Sequence, residues 1–594
     1  MTPHENHSHI PESRRLLILY GSQTGCAQDV AERIWREGIR RHFASEVLSM
    51  DDYDINELVH EKLVIFVCST TGQGEEPDNM KKFWKFLLRK ALPRDVLEQM
   101  EYTVFGLGDS SYQKFNFPSK KLYKRLSQLG AQGFFPRGDG DDQHYLGVDG
   151  TLNSWLQGMW ETLLRKYPLS SGLEIIPQEV LLPPSYKLRF LDNPTEKPST
   201  SNELETGFQL ATLISNQRIT HVEHFQDVRH IEIDISDMKN QGYNPGDVAD
   251  ILPRNLPEDV EAFIELMKWS DIADKEFVIE QNQPDRRVPV RLLGIKTIRN
   301  LFTYDLDFLG VPRRSFIEML SYFTTDENET EKLREFCTTE GQDDFYTYAN
   351  RVKRTTFEVL QDFHSPKISL DYLMDIFPII RHRSFSISSS PTVHPSQVHL
   401  TVGIVQYKTK LQAPRTGVCT KWMAQLDQGS RIPIRFSKGT MKLPVTPVPT
   451  IFIGPGTGIA PMRSFIEERV NAGCMENYLF FGCRYTSMDY HYRQQWEEYA
   501  AKGQLKLYIA ASRDQDEKIY VQHKLLEEGA MLWNLISHHE AVIFLSGNAN
   551  RMQKDVNSAL IEIIQIHGNM SEIEAISYLN SLEKFKRFQQ ECWF

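Results

Sequence analysis

The stretch Gly454-Pro455-Gly456-Thr457-Gly458-Ile459-Ala460-Pro461 decides the fold of the last third of the chain. It follows the apolar run Thr450–Ile453 and precedes a helical segment at 462–470. Three glycines between a strand and a helix let the backbone approach a pyrophosphate at the positive end of the helix. The stretch therefore predicts a doubly wound α/β domain that binds a dinucleotide.

The first part of the chain shows the same alternation of strands and helices. Short β-rich runs at 16–20, 63–67 and 102–107 each end in a loop of small residues, and an amphipathic stretch follows each of them. This order predicts a second doubly wound sheet, whose loops meet at the carboxyl ends of the strands.

The middle of the chain has a different pattern. Residues 168–205 are rich in proline and serine, and this composition predicts a linker. Alternation typical of antiparallel strands begins near 208 and returns after 384, with a helical stretch at about 257–375 between them. An antiparallel β-barrel interrupted by a helical insertion explains this order.

The predicted organisation is α/β at both ends, with the barrel between them. Its segments are a disordered N-terminus at 1–13, a first α/β domain at 14–167, the linker at 168–205, the barrel domain at 206–447 and a second α/β domain at 448–594.

Composition excludes several classes of protein. The net charge of -12 argues against bulk binding to nucleic acid. Seven cysteines show neither disulfide nor metal-ligand spacing, which predicts a reducing compartment and no metal site. No apolar run of about 18 residues occurs, and the N-terminus lacks the apolar core of a signal peptide. We expect a soluble, cytoplasmic monomer without a membrane anchor.

Three loops of the first domain carry candidate binding residues. The loop at 21–28 has hydroxyls and glycines between a strand and a helix, which suits a phosphate but is equally typical of an ordinary β-to-α turn. Two more loops, at 69–74 and 106–112, follow the next strands and favour a binding site.

These three loops resemble those of the flavodoxin family, which hold FMN by its phosphate and by both faces of its ring. The resemblance assigns Tyr112 to stacking on the ring, and Thr71 stands where many relatives have a second aromatic. The FMN-binding residues implied are Ser22, Gln23, Thr24, Gly25, Cys26, Ala27, Ser69, Thr70, Thr71, Gly72, Gly74, Leu107, Gly108, Tyr112, Asn116 and Asp142.

The barrel domain contains Arg383-Ser384-Phe385-Ser386, which resembles the R-x-[YF]-S signature of the ferredoxin-reductase superfamily. The resemblance assigns Arg383 to the FAD pyrophosphate, Phe385 to stacking on the flavin and Ser386 to a hydrogen bond near its reactive nitrogen. It adds a companion loop over the FAD diphosphate, formed by Gly417, Val418, Cys419 and Thr420.

The last domain carries signals for NADPH. Its glycine loop resembles the NADP loop of the same superfamily, and cations, hydroxyls and an aromatic gather at 512–522. A phosphate on the adenosine ribose needs such charge-assisted donors, and NADH lacks that phosphate. The NADP-binding residues implied are Gly456, Thr457, Ser512, Arg513, Lys518, Tyr520 and Gln522.

The C-terminus, Glu591-Cys592-Trp593-Phe594, resembles the ends of reductases in which a terminal aromatic covers the FAD ring. Ser386, Glu591 and Trp593 are the catalytic residues implied, with Trp593 also contacting FAD. Relatives place a cysteine where this chain has Ser546, and a slower hydride transfer is expected from that change.

The order of these modules resembles the diflavin reductase family over nearly the whole chain, and most closely its cytosolic branch. The resemblance implies electron flow from NADPH through FAD and FMN to an anamorsin-like iron–sulfur protein in cytosolic iron–sulfur assembly. Two alternatives stay open. One is a reductase for small acceptors such as quinones or for haem proteins, and the other is a binding scaffold with blunted catalysis.

Overall fold

The computed structural model describes residues 14–72, 74–112, 114–192, 205, 207–239, 242–549 and 551–593. The predicted disordered N-terminus at 1–13 and residues 193–204 of the predicted linker lie outside the described residues. The chain divides into two compact units. The first unit is 1–203 with 256–381, and the second is 204–255 with 382–594.

The first α/β domain begins the first unit. Its strands are β1 (Arg15–Gly21), β2 (Ala44–Ser49), β3 (Leu63–Ser69), β4 (Glu101–Gly108), β5 (Gln132–Gly133) and β6 (Gly138–Asp141). Its helices are α1 (Cys26–Arg40), α2 (Lys81–Leu87), α3 (Phe117–Gln128) and α4 (Asp149–Lys166). The strands pair in the order β2-β1-β3-β4-β5, with β6 also pairing with β4, and every pair is parallel.

The middle of the chain follows. Its first elements are β7 (Tyr186–Phe190), β8 (Gln209–Arg218), β9 (Val228–Asp234), β10 (Val248–Ile251), α5 (Pro257–Met267), β11 (Phe277–Gln281) and β12 (Ile295–Lys296). The helices that complete the insertion are α6 (Ile298–Asn300), α7 (Arg314–Phe323), α8 (Glu327–Phe336), α9 (Gln342–Phe345), α10 (Thr356–Asp362) and α11 (Leu373–Ile376).

The remaining elements belong to the second unit. Those of the barrel domain are β13 (Arg383–Ser386), β14 (Gln397–Gly403), β15 (Gln406–Tyr407), β16 (Arg415–Thr416), α12 (Val418–Ala424) and β17 (Arg431–Ser437). Those of the last domain are β18 (Thr450–Ile453), α13 (Ile459–Asn471), β19 (Asn477–Cys483), α14 (Arg493–Ala501), β20 (Lys506–Ala511), α15 (Val521–Glu527), α16 (Gly529–His538), β21 (Val542–Asn548), α17 (Met552–Gly568), α18 (Glu572–Lys584) and β22 (Phe588–Trp593).

Helix α1 shows why these elements form where they do. Its buried residues Ala27, Val30, Ala31 and Ile34 recur at helical spacing and pack on the sheet. An acidic side chain lies in its first turn and a basic one in its last, and both charges complement the helix dipole. Strand β1 buries both faces, which requires a helix layer on each side of the sheet.

The insertion has an aromatic core of its own. Phe263 lies 4.5 Å from the ring centroids of both Phe302 and Phe308, and 5.6 Å from that of Phe377. The insertion is not wholly helical, because β7, β11 and β12 form a three-stranded sheet against this core. Strand β7 lies within the range predicted as linker, where the prolines around it obscure the alternation of its buried and exposed residues.

The two largest sheets of the second unit confirm the predicted fold class, and β15 and β16 form a further antiparallel pair. The barrel sheet is antiparallel, in the order β13-β10-β17-β8-β9-β14. The sheet of the last domain is parallel, in the order β20-β19-β18-β21-β22. Across the described ranges, no helix has the length and hydropathy needed to cross a membrane.

A buried cluster of charges ties the insertion together and yields a stability prediction. Asp305 is 2% exposed and accepts hydrogen bonds from Arg291 Nε at 2.9 Å and Lys296 Nζ at 3.1 Å. We expect Asp305→Ala to lower the free energy of unfolding of the first unit by about 3–5 kcal/mol, because it leaves two buried cations without a carboxylate. Denaturant unfolding followed by circular dichroism measures this change.

The matched control is Asp274→Ala, in the same insertion. Asp274 pairs with Arg299 at 2.7 Å, but its side chain is 68% exposed. Its removal should cost less than about 1 kcal/mol. Equal effects of the two substitutions would contradict a structural role for the buried cluster.

Candidate functional site

The loop after β1 is held in shape by its own side chains. Gly25 has a φ of +92°, which a side chain would strain, and it ends the loop as the N-cap of α1. Its N–H donates to Ser22 Oγ at 3.0 Å, while the N–H of Ser22 donates to Asn79 Oδ1 at 2.8 Å. Thr24 and Cys26 are exposed beside the start of the helix. The loop therefore presents polar groups at the positive helix end, as a phosphate requires.

The other predicted FMN loops meet at the same edge of the sheet. Thr70 N donates to Leu107 O at 2.8 Å, and Asp142 N donates to Gly108 O at 2.9 Å. Two buried oxygen atoms nearby, Thr70 Oγ1 and Asn116 Oδ1, have no hydrogen-bond partner among the described residues. A bound polar group such as FMN would satisfy such atoms, so this edge fits the cofactor.

Some side chains predicted to contact FMN have partners within the protein. Thr71 Oγ1 donates to Glu75 O at 3.1 Å, so this hydroxyl closes its own loop. Gln23 Nε2 donates to Asp78 at 2.9 Å. Tyr112 lies partly exposed after β4, and its N–H donates to Asp109 O at 3.2 Å. The backbone of the loops is thereby fixed, and fewer side chains than predicted remain available to the cofactor.

The predicted FAD motif lies on β13, whose two serines have different partners. Ser384 Oγ donates to Asp250 Oδ1 at 2.7 Å, and Arg435 pairs with the same buried carboxylate at 3.0 Å. Ser386 Oγ instead donates to Glu591 Oε1 at 3.1 Å. The two serines therefore attach the motif at two points, Ser384 to the barrel and Ser386 to the C-terminal strand.

The companion loop lies at the start of α12. Thr420 Oγ1 accepts from Val405 N at 3.1 Å, and Cys419 Sγ lies 3.7 Å from Met423 Sδ. Burial raises the pKa of Cys419 to about 12, although the charge of Arg383 lowers it, so this thiol is neutral. Both side chains are committed to protein contacts, which leaves the backbone N–H groups of the turn as the donors for a diphosphate.

The glycine loop of the last domain lies where the strand order reverses, between β18 and β21. A Cβ on Gly458 would lie 2.1 Å from Ser546 O, so this close approach of two loops requires glycine. Ser546 is fully buried, and its Oγ has no hydrogen-bond partner within the described chain. An orphaned hydroxyl beside a glycine loop at the sheet edge fits the predicted nucleotide site.

The predicted ribose-phosphate site lies after β20. Arg513 and Lys518 are exposed, and Tyr520 is the N-cap of α15. Ser512 Oγ donates to Cys483 O at 3.3 Å, and Gln522 Nε2 donates to Asp555 at 3.4 Å. Two exposed cations thus remain to meet a phosphate dianion, whereas Gln522 is turned toward α17.

Sequence reasoning missed Thr440, Asp250 and Arg463. Thr440 Oγ1 donates to Glu591 Oε2 at 3.2 Å, so this carboxylate accepts from two hydroxyls. Asp250 holds Ser384, as described above. Thr440 lies in a loop and belongs to no recognisable motif, so the sequence gives no sign of its role. Asp250 was detectable, because it is a charged residue in the otherwise apolar strand β10.

Arg463, on α13, joins the last domain to the barrel. It pairs with Glu467 at 2.7 Å and donates to Ser388 O at 2.8 Å. Its Nη1 also lies 3.3 Å from His399 Nδ1. Nitrogen and oxygen atoms of His230, Glu232 and His399 lie within 4.8 Å of one another, but the adjacent guanidinium opposes binding of a metal ion there.

Three family models match the chain in the same order as its domains. Residues 18–155 match the flavodoxin model, 203–422 the FAD binding domain and 452–558 the oxidoreductase NAD-binding domain. Together with the site geometry, these matches define a diflavin reductase, an oxidoreductase that binds FMN, FAD and NADPH.

Full-length relatives narrow this class. NADPH-dependent diflavin oxidoreductase 1 of Danio rerio is 46% identical over 592 residues, which cover 97% of this chain and 99% of the relative. The proteins of the same name from Xenopus laevis and Schizosaccharomyces pombe are 45% and 40% identical, over 98% of this chain and 99% and 100% of their own. The chain belongs to the NADPH-dependent diflavin oxidoreductase 1 family.

The histidines of the second unit lead to a prediction about pH. Burial, together with the charge of Arg463, lowers the pKa of His230 to about 4 and that of His399 to about 2. Burial also lowers the pKa of His491 to about 4. These side chains are neutral when folded, whereas in the unfolded chain each is protonated below about pH 6.5.

We therefore expect the second unit to keep its full stability above about pH 6.5 and to lose it as the pH falls toward 4. Each histidine contributes up to about 1.4 kcal/mol per pH unit. Calorimetry of the full chain between these pH values measures the slope. His399→Gln should reduce the slope, and His539→Gln, at an exposed position, should leave it unchanged. An unaltered slope in His399→Gln would contradict the assignment.

Proposed function

We propose that the chain takes electrons from NADPH and delivers them singly to an anamorsin-like iron–sulfur protein, within cytosolic iron–sulfur assembly and therefore in the cytoplasm. When bound, FAD accepts a hydride and FMN exchanges single electrons, and the protein supplies binding, orientation and exclusion of water. Family membership supports the reductase part, and the resemblance to the cytosolic branch supports the acceptor.

The hydrogen bond between Ser386 and Glu591 is the observation on which the catalytic assignment rests. It joins the FAD motif of the barrel to the C-terminal strand, and Thr440 donates to the second oxygen of the same carboxylate. Glu591 thus fixes the orientation of the Ser386 hydroxyl, whose oxygen lies 3.1 Å from Glu591 Oε1. A hydroxyl positioned in this way can steer the nicotinamide toward the flavin at low cost in reorganisation.

Two further groups define how NADPH is bound and released. Arg513 and Lys518 are proposed to bind the ribose phosphate, which gives the preference over NADH. Trp593 is 37% exposed at the end of β22, and its carbonyl accepts from Ala549 N at 2.8 Å. A half-exposed aromatic at a strand end can cover the flavin and yield to nicotinamide with little loss of packing.

Movement of the FMN domain is part of the proposal, because FMN must meet FAD and the acceptor in turn. Strand β7 pairs with β11 over five residues and so belongs to the insertion. We therefore confine the proposed hinge to residues 168–185, between α4 and β7.

Substitution of Ser386 tests the catalytic assignment. Ser386→Ala should slow flavin reduction by NADPH about ten- to a hundredfold in stopped flow, because a hydrogen bond to a carboxylate is lost. The affinity for NADP⁺ should change less than about twofold, since the nucleotide is held elsewhere. The control is Ser396→Ala, an exposed serine of the same domain. A loss confined to NADP⁺ affinity would contradict the proposed role.

The acceptor is tested by comparing the rates at which different acceptors are reduced. The full chain, reduced anaerobically with NADPH, is mixed with an anamorsin-like iron–sulfur protein, with a quinone or with a haem protein. We expect the iron–sulfur protein to be reduced at least about tenfold faster at equal concentration, because a docked acceptor lies close to the flavin edge. Faster reduction of the quinone or the haem protein would favour the second candidate, a general reductase. Failure of NADPH to bleach the flavins would indicate a scaffold.

A further inference from the structure

Arg313, in the insertion, lies against the phosphate loop of the FMN domain, within the same compact unit. Its Nη2 donates to Thr24 O at 3.1 Å. A Cβ on Gly25 would lie 2.9 Å from Nη2 and 3.5 Å from Nη1, so the guanidinium packs directly on the N-cap of α1. An arginine from outside the flavodoxin domain thus reaches the point where the FMN phosphate is proposed to bind.

The local charges at Arg313 act in opposite directions. Burial lowers the pKa of its guanidinium, but the attraction of Cys26, Asp29 and Glu32 outweighs burial and raises it overall. The N-terminus of α1 already carries partial positive charge, and a cation beside it destabilises the helix. Within the described ranges, no carboxylate lies within 4.0 Å of the Arg313 guanidinium. Asp29 is hydrogen-bonded to Ser315, and Glu32 accepts from Arg286 and Gln28 at 3.0 Å each. These acids attract Arg313 only from a distance, and four of its five N–H groups have no bond to a described residue.

Arg313 is held there by other contacts between the insertion and the same helix. Trp35 Nε1 donates to Asp285 at 2.6 Å, and the Arg286 guanidinium lies 5.2 Å from the centre of the Trp35 ring. The hydrogen bond from Ser315 to Asp29 fixes the next turn of chain after Arg313. These contacts position the cation at the loop before any ligand arrives, which lowers the entropy cost of using it.

We propose that Arg313 is a phosphate ligand of FMN supplied by the insertion. The proposal rests on the phosphate loop assigned above. Because Arg313 can reach the phosphate only while α1 contacts the insertion, FMN binding and this contact stabilise each other by the same free energy. The phosphate then links cofactor binding to the position of the FMN domain.

The test compares FMN with riboflavin, which has the same ring without the phosphate. The full chain is stripped of FMN with its FAD retained, and each flavin is titrated by fluorescence quenching. Arg313→Ala should weaken FMN about tenfold or more and leave riboflavin within about twofold, because only the charge-assisted bond to phosphate is lost. The affinity of Arg313→Lys for FMN should lie between those of the wild type and Arg313→Ala, since lysine keeps the charge but cannot make the paired hydrogen bonds of a guanidinium. Retained FAD verifies the fold of the second unit, and unchanged thermal unfolding followed by circular dichroism verifies the fold of the first unit, which carries Arg313.

Two controls complete the experiment. Arg299→Ala removes an arginine of the same insertion that pairs with Asp274, and it should leave both flavins unaffected. Thr24→Ala should weaken the binding of FMN, because it removes a hydroxyl of the phosphate loop. If Arg313→Ala weakens the binding of FMN and riboflavin equally, or weakens neither, the proposed role of Arg313 is wrong. Weaker binding of FMN by Thr24→Ala would in that case still support the phosphate loop. If Thr24→Ala also has no effect, the phosphate loop and the role of Arg313 both fall.

Discussion

The parallel pairing of β21 with β22 is the constraint on which the candidate site of the second unit depends. It aligns Ser546 with Glu591 and Asn548 with Trp593 at the carboxyl edge of the sheet. The Gly454–Gly458 loop ends at the same edge, where only a glycine at 458 allows β21 to approach. Strand β22 therefore ends beside the glycine loop, and the Glu591 carboxylate accepts from Ser386 of the barrel. A shift of one residue in this ladder would reverse the face on which Glu591 lies and separate these groups.

Helix α13 serves two purposes at once. Its first turn follows the glycine loop, and its second and third turns carry Arg463 and Glu467, which bind the barrel. Binding of the nucleotide and attachment of the barrel therefore depend on one rigid element. Arg463 and Glu467 are paired with each other in this buried network, as a low-dielectric interior requires. The same desolvation keeps His230 and His399 neutral.

In the FMN domain, α1 likewise follows a loop and contacts a neighbouring part of the chain. The N-terminus of α1 follows the phosphate loop, and its outer face binds the insertion through Glu32 and Trp35. A phosphate bound at the positive end of α1, as proposed, would be linked through the side of this helix to the insertion. In both units, the physical basis is the same concentration of unpaired N–H groups at a helix start.

The sequence by itself determined the parts that depend on neighbours in the chain. Strand periodicity, the glycines of the loops and the order of the three domains all follow from local backbone requirements, so the fold class was predictable. Only the tertiary structure decided which side chains reach the site. Ser386 meets Glu591 across 205 residues and Arg313 meets Thr24 across 289, and packing turned Thr420 and Gln522 toward protein partners. Such contacts depend on the distance between atoms in the folded chain, which no local pattern encodes.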